Sequence, residues 1–295
     1  MTRPNEAAIP SDPSAQAAEA AHADTAPSYA LTRVVRFCAF PTEELERRAL
    51  SAPRLNSFAA WPAMIGLGAY MELGVTCTGP AHHDTGYVVN ISDVDAAVRM
   101  EAIPLVGKQL RERPDRNPAE LLPVLLERIG AALAEPVSRI EWRLTPYQTL
   151  ILEGHDMGRY VLSQQFDFAA AHRLHSPALS AEENRAAFGK CNNPNGHGHN
   201  YRLEVRVRVP VPGENPSEET VDAFSVLDLE RIVRTEVIDR FDHAHLNLDT
   251  EIFSNLNPSV EHIARVCHEL LDPEIRSAGA ELDQVTVWET EKTSC

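Results

Sequence analysis

Slid along itself by 130 residues, the chain meets its own pattern again, and this repetition restricts the possible folds more than any figure of composition. The stretch from Gly66 to Val75 falls on the stretch from Gly196 to Val205, and Phe58-Ala-Ala-Trp61 falls on Phe188-Gly-Lys-Cys191. Small insertions carry the match onward. Ser92-Asp93-Val94 meets Leu227-Asp228-Leu229, Asn117-Pro118-Ala119 meets Asn257-Pro258-Ser259, and Ile140–Leu144 meets Val285–Glu289. Each copy reads as strand, loop, strand, helix, helix, strand. Hairpin-like or long connections around two helices suggest an α+β layer, an antiparallel four-stranded sheet with both helices on one face. Two tandem domains follow, 29–155 and 156–295, after an Ala/Pro/Ser-rich tail at 1–28 that is expected to be disordered.

The second copy carries the clearest strand. From Tyr201 to Val209 the residues Tyr201, Leu203, Val205, Val207 and Val209 face one way, and Arg202, Glu204, Arg206 and Arg208 the other. A first strand over Tyr160–Ala171 pairs beside it, and two helices are expected near Val226–Phe241 and Pro258–Leu271, the latter with Asn257 as N-cap. Just before the alternating strand stands His197-Gly198-His199. Residues two apart share a face, so both imidazoles can aim at one point, and His172 at the end of the first strand supplies a third nitrogen. Three neutral imidazoles leave the fourth position of a tetrahedral zinc open, the arrangement of a catalytic rather than a structural site. Cys191, in a loop of Lys, Asn, Pro and Gly, is a nearby thiol, one that a zinc ion would help to ionise.

Together these residues resemble a known family. Residues 170–201, with His172-Arg-Leu-His175 and then Phe188-Gly-Lys-Cys-Asn-Asn-Pro-Asn-Gly-His-Gly-His-Asn-Tyr201, resemble the 6-pyruvoyl tetrahydropterin synthase family almost letter for letter. The resemblance implies the tunnelling fold, in which such units join edge to edge into a barrel. It implies zinc (Zn2+) on His172, His197 and His199, with Cys191 assisted by His243, which Asp242 orients. It further implies that Glu289 anchors a pterin ring through its N–H edge, with the Ser259 hydroxyl as a weaker substrate contact. On the residues alone, Glu289 is a strand-end acid, taken to face away from Val287. His175 and His245 are set aside as packing or surface histidines.

The implied reaction converts 7,8-dihydroneopterin triphosphate to 6-pyruvoyl tetrahydropterin with loss of triphosphate. The related 6-carboxytetrahydropterin synthase of the queuosine pathway is the nearest alternative, and the five residues between Cys191 and His197 favour the pyruvoyl enzyme. A non-catalytic pterin-binding or scaffold protein is an alternative of another class. Against that stands an internal control. In the first copy Pro41 replaces His172, Leu67 replaces His197, Ala69 replaces His199 and Trp61 replaces Cys191. Gly107-Lys108 likewise stand for Asp242-His243, and Leu144 for Glu289, while turns and apolar positions persist. The first copy therefore reads as a chemically silent relative.

A net charge of −16 argues against general binding to nucleic acid or anionic membranes. The His cluster nevertheless has Arg173, Arg185, Lys190, Arg202, Arg206 and Arg208 around it in sequence, so an anionic pterin triphosphate is admissible. Five scattered cysteines without a CxxC pair, and no signal-like or membrane-length apolar run, fit a cytoplasmic protein with free thiols. The second copy ends soon after its third strand, so a neighbouring subunit or the linker is expected to cover that edge. The family assembles six single domains as two stacked trimer rings, which for a tandem chain implies a homo-oligomer of three chains.

Overall fold

The alternation at 201–209 becomes a strand whose inner face is sealed: Tyr201, Leu203, Val205 and Val207 are wholly buried and Val209 nearly so. Each such side chain taken from water contributes about 1.5–3 kcal/mol, so this one strand face fixes its own register. The computed structural model describes residues 27–51, 64–133, 136–213 and 224–295. The tail expected to be disordered and the Phe58–Trp61 part of the repeat fall, apart from residues 27 and 28, outside them.

In chain order the elements are β1 (Ser28–Ala39), α1 (Glu43–Ser51), β2 (Ala69–Pro80), α2 (Ile91–Ala97), α3 (Ile103–Glu112), α4 (Leu122–Leu133), β3 (Val137–Thr145) and β4 (Gln148–Glu153). There follow β5 (Asp156–His172), α5 (Ala181–Phe188), β6 (His197–Pro210), α6 (Val226–Val233), α7 (Asp239–Phe241), β7 (Ala244–His245), α8 (Leu246–Asp249), α9 (Val260–Ser277), β8 (Glu281–Thr290) and β9 (Thr293–Ser294).

The strands form one nine-stranded sheet in the order β1-β2-β3-β4-β5-β6-β8-β9, with β7 added beside β5. Four strands come from each half, β1–β4 and then β5, β6, β8 and β9, and they are joined edge to edge into this one sheet. The chain passes from Glu153 to Asp156 through a tight hairpin, and β4 pairs with β5 from Gln148↔Gln164 to Glu153↔Asp156, so the ladder never breaks at the midpoint. All neighbouring strands run antiparallel except β5 and β7. The main apolar core extends along one face of the sheet from Val35 and Phe37 in β1 to Leu282 and Val287 in β8, and a smaller cluster of Cys38, Phe40 and Ala49 lies apart from it. The other face is polar, crossed by ion pairs such as Arg36–Glu72–Arg143 and Arg208–Asp283.

The pairing registers repeat along the chain. Phe37 faces Met71 and Ala39 faces Ala69, while Phe168 faces Tyr201 and Ala170 faces His199. Val75↔Ile140 and Leu73↔Trp142 recur as Val205↔Val285 and Leu203↔Val287. The Thr145↔Gln148 turn recurs as Thr290↔Thr293, although β4 has six residues and β9 two. The helices echo each other too, since α2 and α6 both lead into a π-helical turn, Val98–Ala102 and Arg234–Ile238. One detail differs from expectation. Asn117 caps its helix through its side chain, as the Asn-Pro pair suggests, whereas the cap of α9 is Ser259 and the helix starts at Val260. That helix tolerates Pro273 and continues to Ser277, beyond the expected end at Leu271.

Candidate metal centre and its cationic cleft

The β5–β6 pairing ends at His172↔His197, with Ala170↔His199 two positions inside. Cross-strand neighbours and residues two apart share a face, so three imidazoles converge at the open end of this hairpin. One nitrogen from each lies within 4.8 Å of the others. His172 is completely buried, and its Nδ1–H donates to the Pro258 carbonyl at 2.7 Å. That bond selects the tautomer and leaves the Nε2 lone pair facing inward. His172 Nε2 lies 3.2 Å from His197 Nε2. Two ligands of a tetrahedral zinc at about 2.0–2.1 Å stand roughly 3.3–3.4 Å apart, close to this gap. His199 Nε2 is buried without a hydrogen-bond partner, as a nitrogen reserved for an ion would be. Burial pushes the pKa values of His172 and His197 below the ordinary histidine value, which keeps both rings in the neutral, ligating form. The donor set and spacing therefore fit zinc.

Glu289 departs from the expectation that it faces away from Val287. Being two residues apart on β8 they share the inner face, and Glu289 Oε1 reaches 3.4 Å from His172 Nε2 and 3.7 Å from His199 Nε2. Its carboxylate thus borders the imidazole group.

The thiol is placed by a sewn loop. Ser180 and Glu183 form a capping box that starts α5, and Gly189, at φ +53°, turns the chain into the short 3-10 segment carrying Cys191. Leu174 N–H donates to Cys191 O at 2.9 Å, Asn192 Nδ2 to Leu174 O at 2.7 Å, and Arg173 Nε to Asn192 O at 3.3 Å. The Asn247 amide clasps Arg173 through both its backbone groups. Cys191 consequently lines a cleft of about 970 Å³ with His197, His199, Arg173, His175, Arg185 and Lys190. Among the described residues no carboxylate lines it. Arg202, Arg206 and Arg208, grouped with the site by sequence, lie on the opposite face of β6: Arg202 stacks over Trp288, and the other two pair with Asp283. Strand alternation removes them from the cleft.

Asp242 and His243 follow α7 and lie along the edge of β5 that β6 does not occupy. Asp242 Oδ1 accepts the Ala169 N–H at 2.8 Å and Oδ2 accepts His243 Nδ1–H at 2.8 Å. The first of these bonds, and then the second, hold the Asp242 pKa below the usual carboxylate range. His243 adopts φ +59°, an uncommon conformation for a residue with a side chain, and remains largely exposed. His243 borders a different cleft from Cys191, one floored by Ala169, Ala171 and Gly198, and the two clefts share His199 as a wall. Within one chain the structure brings the three histidines, Glu289 and Cys191 to one end of the sheet and leaves the dyad on the neighbouring edge.

Ser259 caps α9, accepting the His262 N–H. Two histidines set aside in sequence are integral to the site's surroundings. His175 lines the cationic cleft, and His245 lies against the Gly196 turn, where an added Cβ would come within 2.5 Å of its Nε2. His175 stands within the motif that carries the resemblance, but spacing alone gave neither histidine a role, because contacts such as Asn257 with His175 and Gly196 with His245 join distant segments. In the first half, Phe40 lies against Gly68 and packs with Cys38 and Ala49, with Leu45 and Ile65 beside them. At the corresponding place beside Gly198 the second half has an open cleft.

Comparison with known proteins gives a consistent result. Residues 161–295 match the family model described as 6-pyruvoyl tetrahydropterin synthase. The putative 6-pyruvoyl tetrahydrobiopterin synthase of Caenorhabditis elegans is 41% identical over 126 residues, which cover 42% of this chain and 84% of that protein. The human 6-pyruvoyl tetrahydrobiopterin synthase is 35% identical over 104 residues, 35% of this chain and 68% of the human one. The Drosophila melanogaster protein of the same name is 37% identical over 103 residues, and the match spans 58% of its length. Among solved structures, the Caenorhabditis elegans 6-pyruvoyl tetrahydropterin synthase is 31% identical and covers 46% of this chain and 93% of its own, with a TM-score of 0.38.

Proposed function

This chain belongs to the 6-pyruvoyl tetrahydropterin synthase family, and on that premise we propose that it is a zinc-dependent enzyme converting 7,8-dihydroneopterin triphosphate to 6-pyruvoyl tetrahydropterin with release of triphosphate. The observation that carries the reading is the convergence of His172, His197 and His199 beside a thiol in a cleft whose charged lining residues are all cationic. His172, His197 and His199 would hold the ion, which would supply Lewis acidity to the substrate's side-chain oxygens and so acidify the adjacent C–H bonds.

The protein's own groups then divide the work. Glu289 accepts hydrogen bonds from the pterin N–H edge, and because its carboxylate borders the imidazoles, a ring held there presents its side chain to the metal pocket. Cys191 takes the proton. Asp242 accepts from His243 Nδ1–H, which leaves Nε2 as the ring atom free to accept and return a proton. Arg185 and Lys190 face the triphosphate. The Ser259 hydroxyl, engaged in capping α9, contributes to the site mainly through the helix start that presents the Pro258 carbonyl to His172.

The repeated registers support a reading of two tandem domains, 29–155 chemically silent and 156–295 active. The separation of the dyad from Cys191 within one chain suits a site completed between subunits, and three tandem chains would close the ring of six units. Among the described residues no helix is long and apolar enough to cross a membrane. The deciding experiment is incubation of the zinc-loaded chain with dihydroneopterin triphosphate and identification of the product by mass. The pyruvoyl compound supports the proposal. Carboxytetrahydropterin with acetaldehyde identifies the alternative synthase, and an unchanged substrate leaves a binding or scaffold protein.

A further inference from the structure

His175 lies where neither the metal nor the thiol needs it, three residues beyond His172, yet it is held as firmly as a functional group. Asn192 Nδ2 approaches His175 Nδ1 at 3.1 Å and Arg173 Nη2 approaches the same atom at 3.3 Å. Both are obligatory donors: Asn192 Nδ2 also donates to the Leu174 carbonyl, which fixes the orientation of its amide. Nδ1 therefore accepts, and the ring proton resides on Nε2. The backbone is pinned as well, since His175 N–H donates to Asn257 Oδ1 at 3.0 Å. The half-buried ring lines the same cleft as Arg185 and Lys190. Those two cations have no ion-pair partner among the described residues, and no acid lines the cleft. In a chain of net charge −16, such a wall is a local cationic surface that would favour an anion.

We propose that His175 is a specificity-determining contact for the phosphate chain of the substrate: its Nε2–H donates to a phosphate oxygen that Arg185 and Lys190 also face. A neutral, pre-oriented N–H selects a phosphate by direction, whereas the two long cations attract it by charge. Arg173 and Asn192 are positioning residues in this arrangement, acting through Nδ1. The inference rests on the synthase reading above and adds to it a residue that discriminates the triphosphate from the same pterin without phosphates.

The test compares KM for 7,8-dihydroneopterin triphosphate with the competitive inhibition constant of 7,8-dihydroneopterin, in the zinc-loaded full chain. His175→Ala is expected to raise KM about tenfold, the loss of one hydrogen bond to a charged group at a partly solvated site, with kcat little changed. The inhibition constant of the phosphate-free pterin stays at the wild-type value. His175→Gln, whose amide N–H reaches towards the place of Nε2–H, is expected to recover most of the loss. An unchanged KM, a parallel rise in both constants, or failure of Gln to recover more than Ala overturns the assignment of His175 and leaves the synthase reading intact. A wild-type chain without turnover overturns both.

Discussion

The Gly196 turn is a place where one methyl group should separate positioning from ligation. Gly196 sits at φ +70°, directly before His197, and a Cβ there would stand 2.9 Å from the His172 carbonyl oxygen and 2.5 Å from His245 Nε2. The left-handed conformation costs a residue with a side chain about 1–2 kcal/mol. The carbonyl belongs to backbone that pairs with His197, so it cannot yield cheaply, and relief of the overlap adds roughly 1–3 kcal/mol. Gly196→Ala should therefore cost about 2–5 kcal/mol, which lowers Tm by roughly 5–15 °C for a chain of this size. Gly279→Ala is the control. It has φ +89° but nothing within 4 Å of an added Cβ, so it carries only the conformational cost of about 1–2 kcal/mol. Because displacement of this turn moves His197 and His172 relative to each other, only Gly196→Ala should also weaken zinc binding, by roughly tenfold or more. Thermal melts and a competitive zinc titration read both effects. If the two variants melt together and bind zinc equally, the turn does not set the spacing of the ligands.

Other outcomes follow from the same geometry. Asn184 is fully buried, accepts the Ser176 N–H and donates to the carbonyls of Ser176, Leu179 and Ser180; Asn184→Ala should cost about 3 kcal/mol in urea unfolding, chiefly by taking their side-chain partner from the Ser176 N–H and the Leu179 carbonyl. Burial lowers the His172 pKa, so in the metal-free chain its contribution to stability is complete above the ordinary value of about 6.5 and is lost as pH falls through the lowered folded value; His172→Gln should flatten that part of the pH–stability curve. Cys191→Ala should abolish turnover while zinc content stays at the wild-type level, and loss of zinc together with activity would make the thiol a ligand.

How much of this was legible in sequence depended on the range of the interaction. Strands β5 and β6 were readable because their alternation is local, and the His-Gly-His spacing placed two imidazoles on one face without any tertiary knowledge. The third ligand followed from pairing the two strands. The single continuous sheet was not readable, since nothing at Gly154-His155 distinguishes a hairpin that pairs across the midpoint from a linker between domains. Glu289 was misassigned for a simpler reason: parity on a strand puts it beside Val287 on the inner face. The bracing of His175 by Asn192 and Arg173, and of His172 by the Pro258 carbonyl, joins segments up to 86 residues apart and leaves no periodic trace. Arg202, Arg206 and Arg208 show the converse, being near the site in sequence and on the far face in space.

The central claim is that His172, His197 and His199 hold one metal ion. Elemental analysis of the full chain, purified without added metal and beside His197→Ala prepared identically, tests it directly. About one zinc per wild-type chain and a clear loss in the variant are expected. No zinc in the wild type, or zinc retained after His197→Ala, would contradict the account.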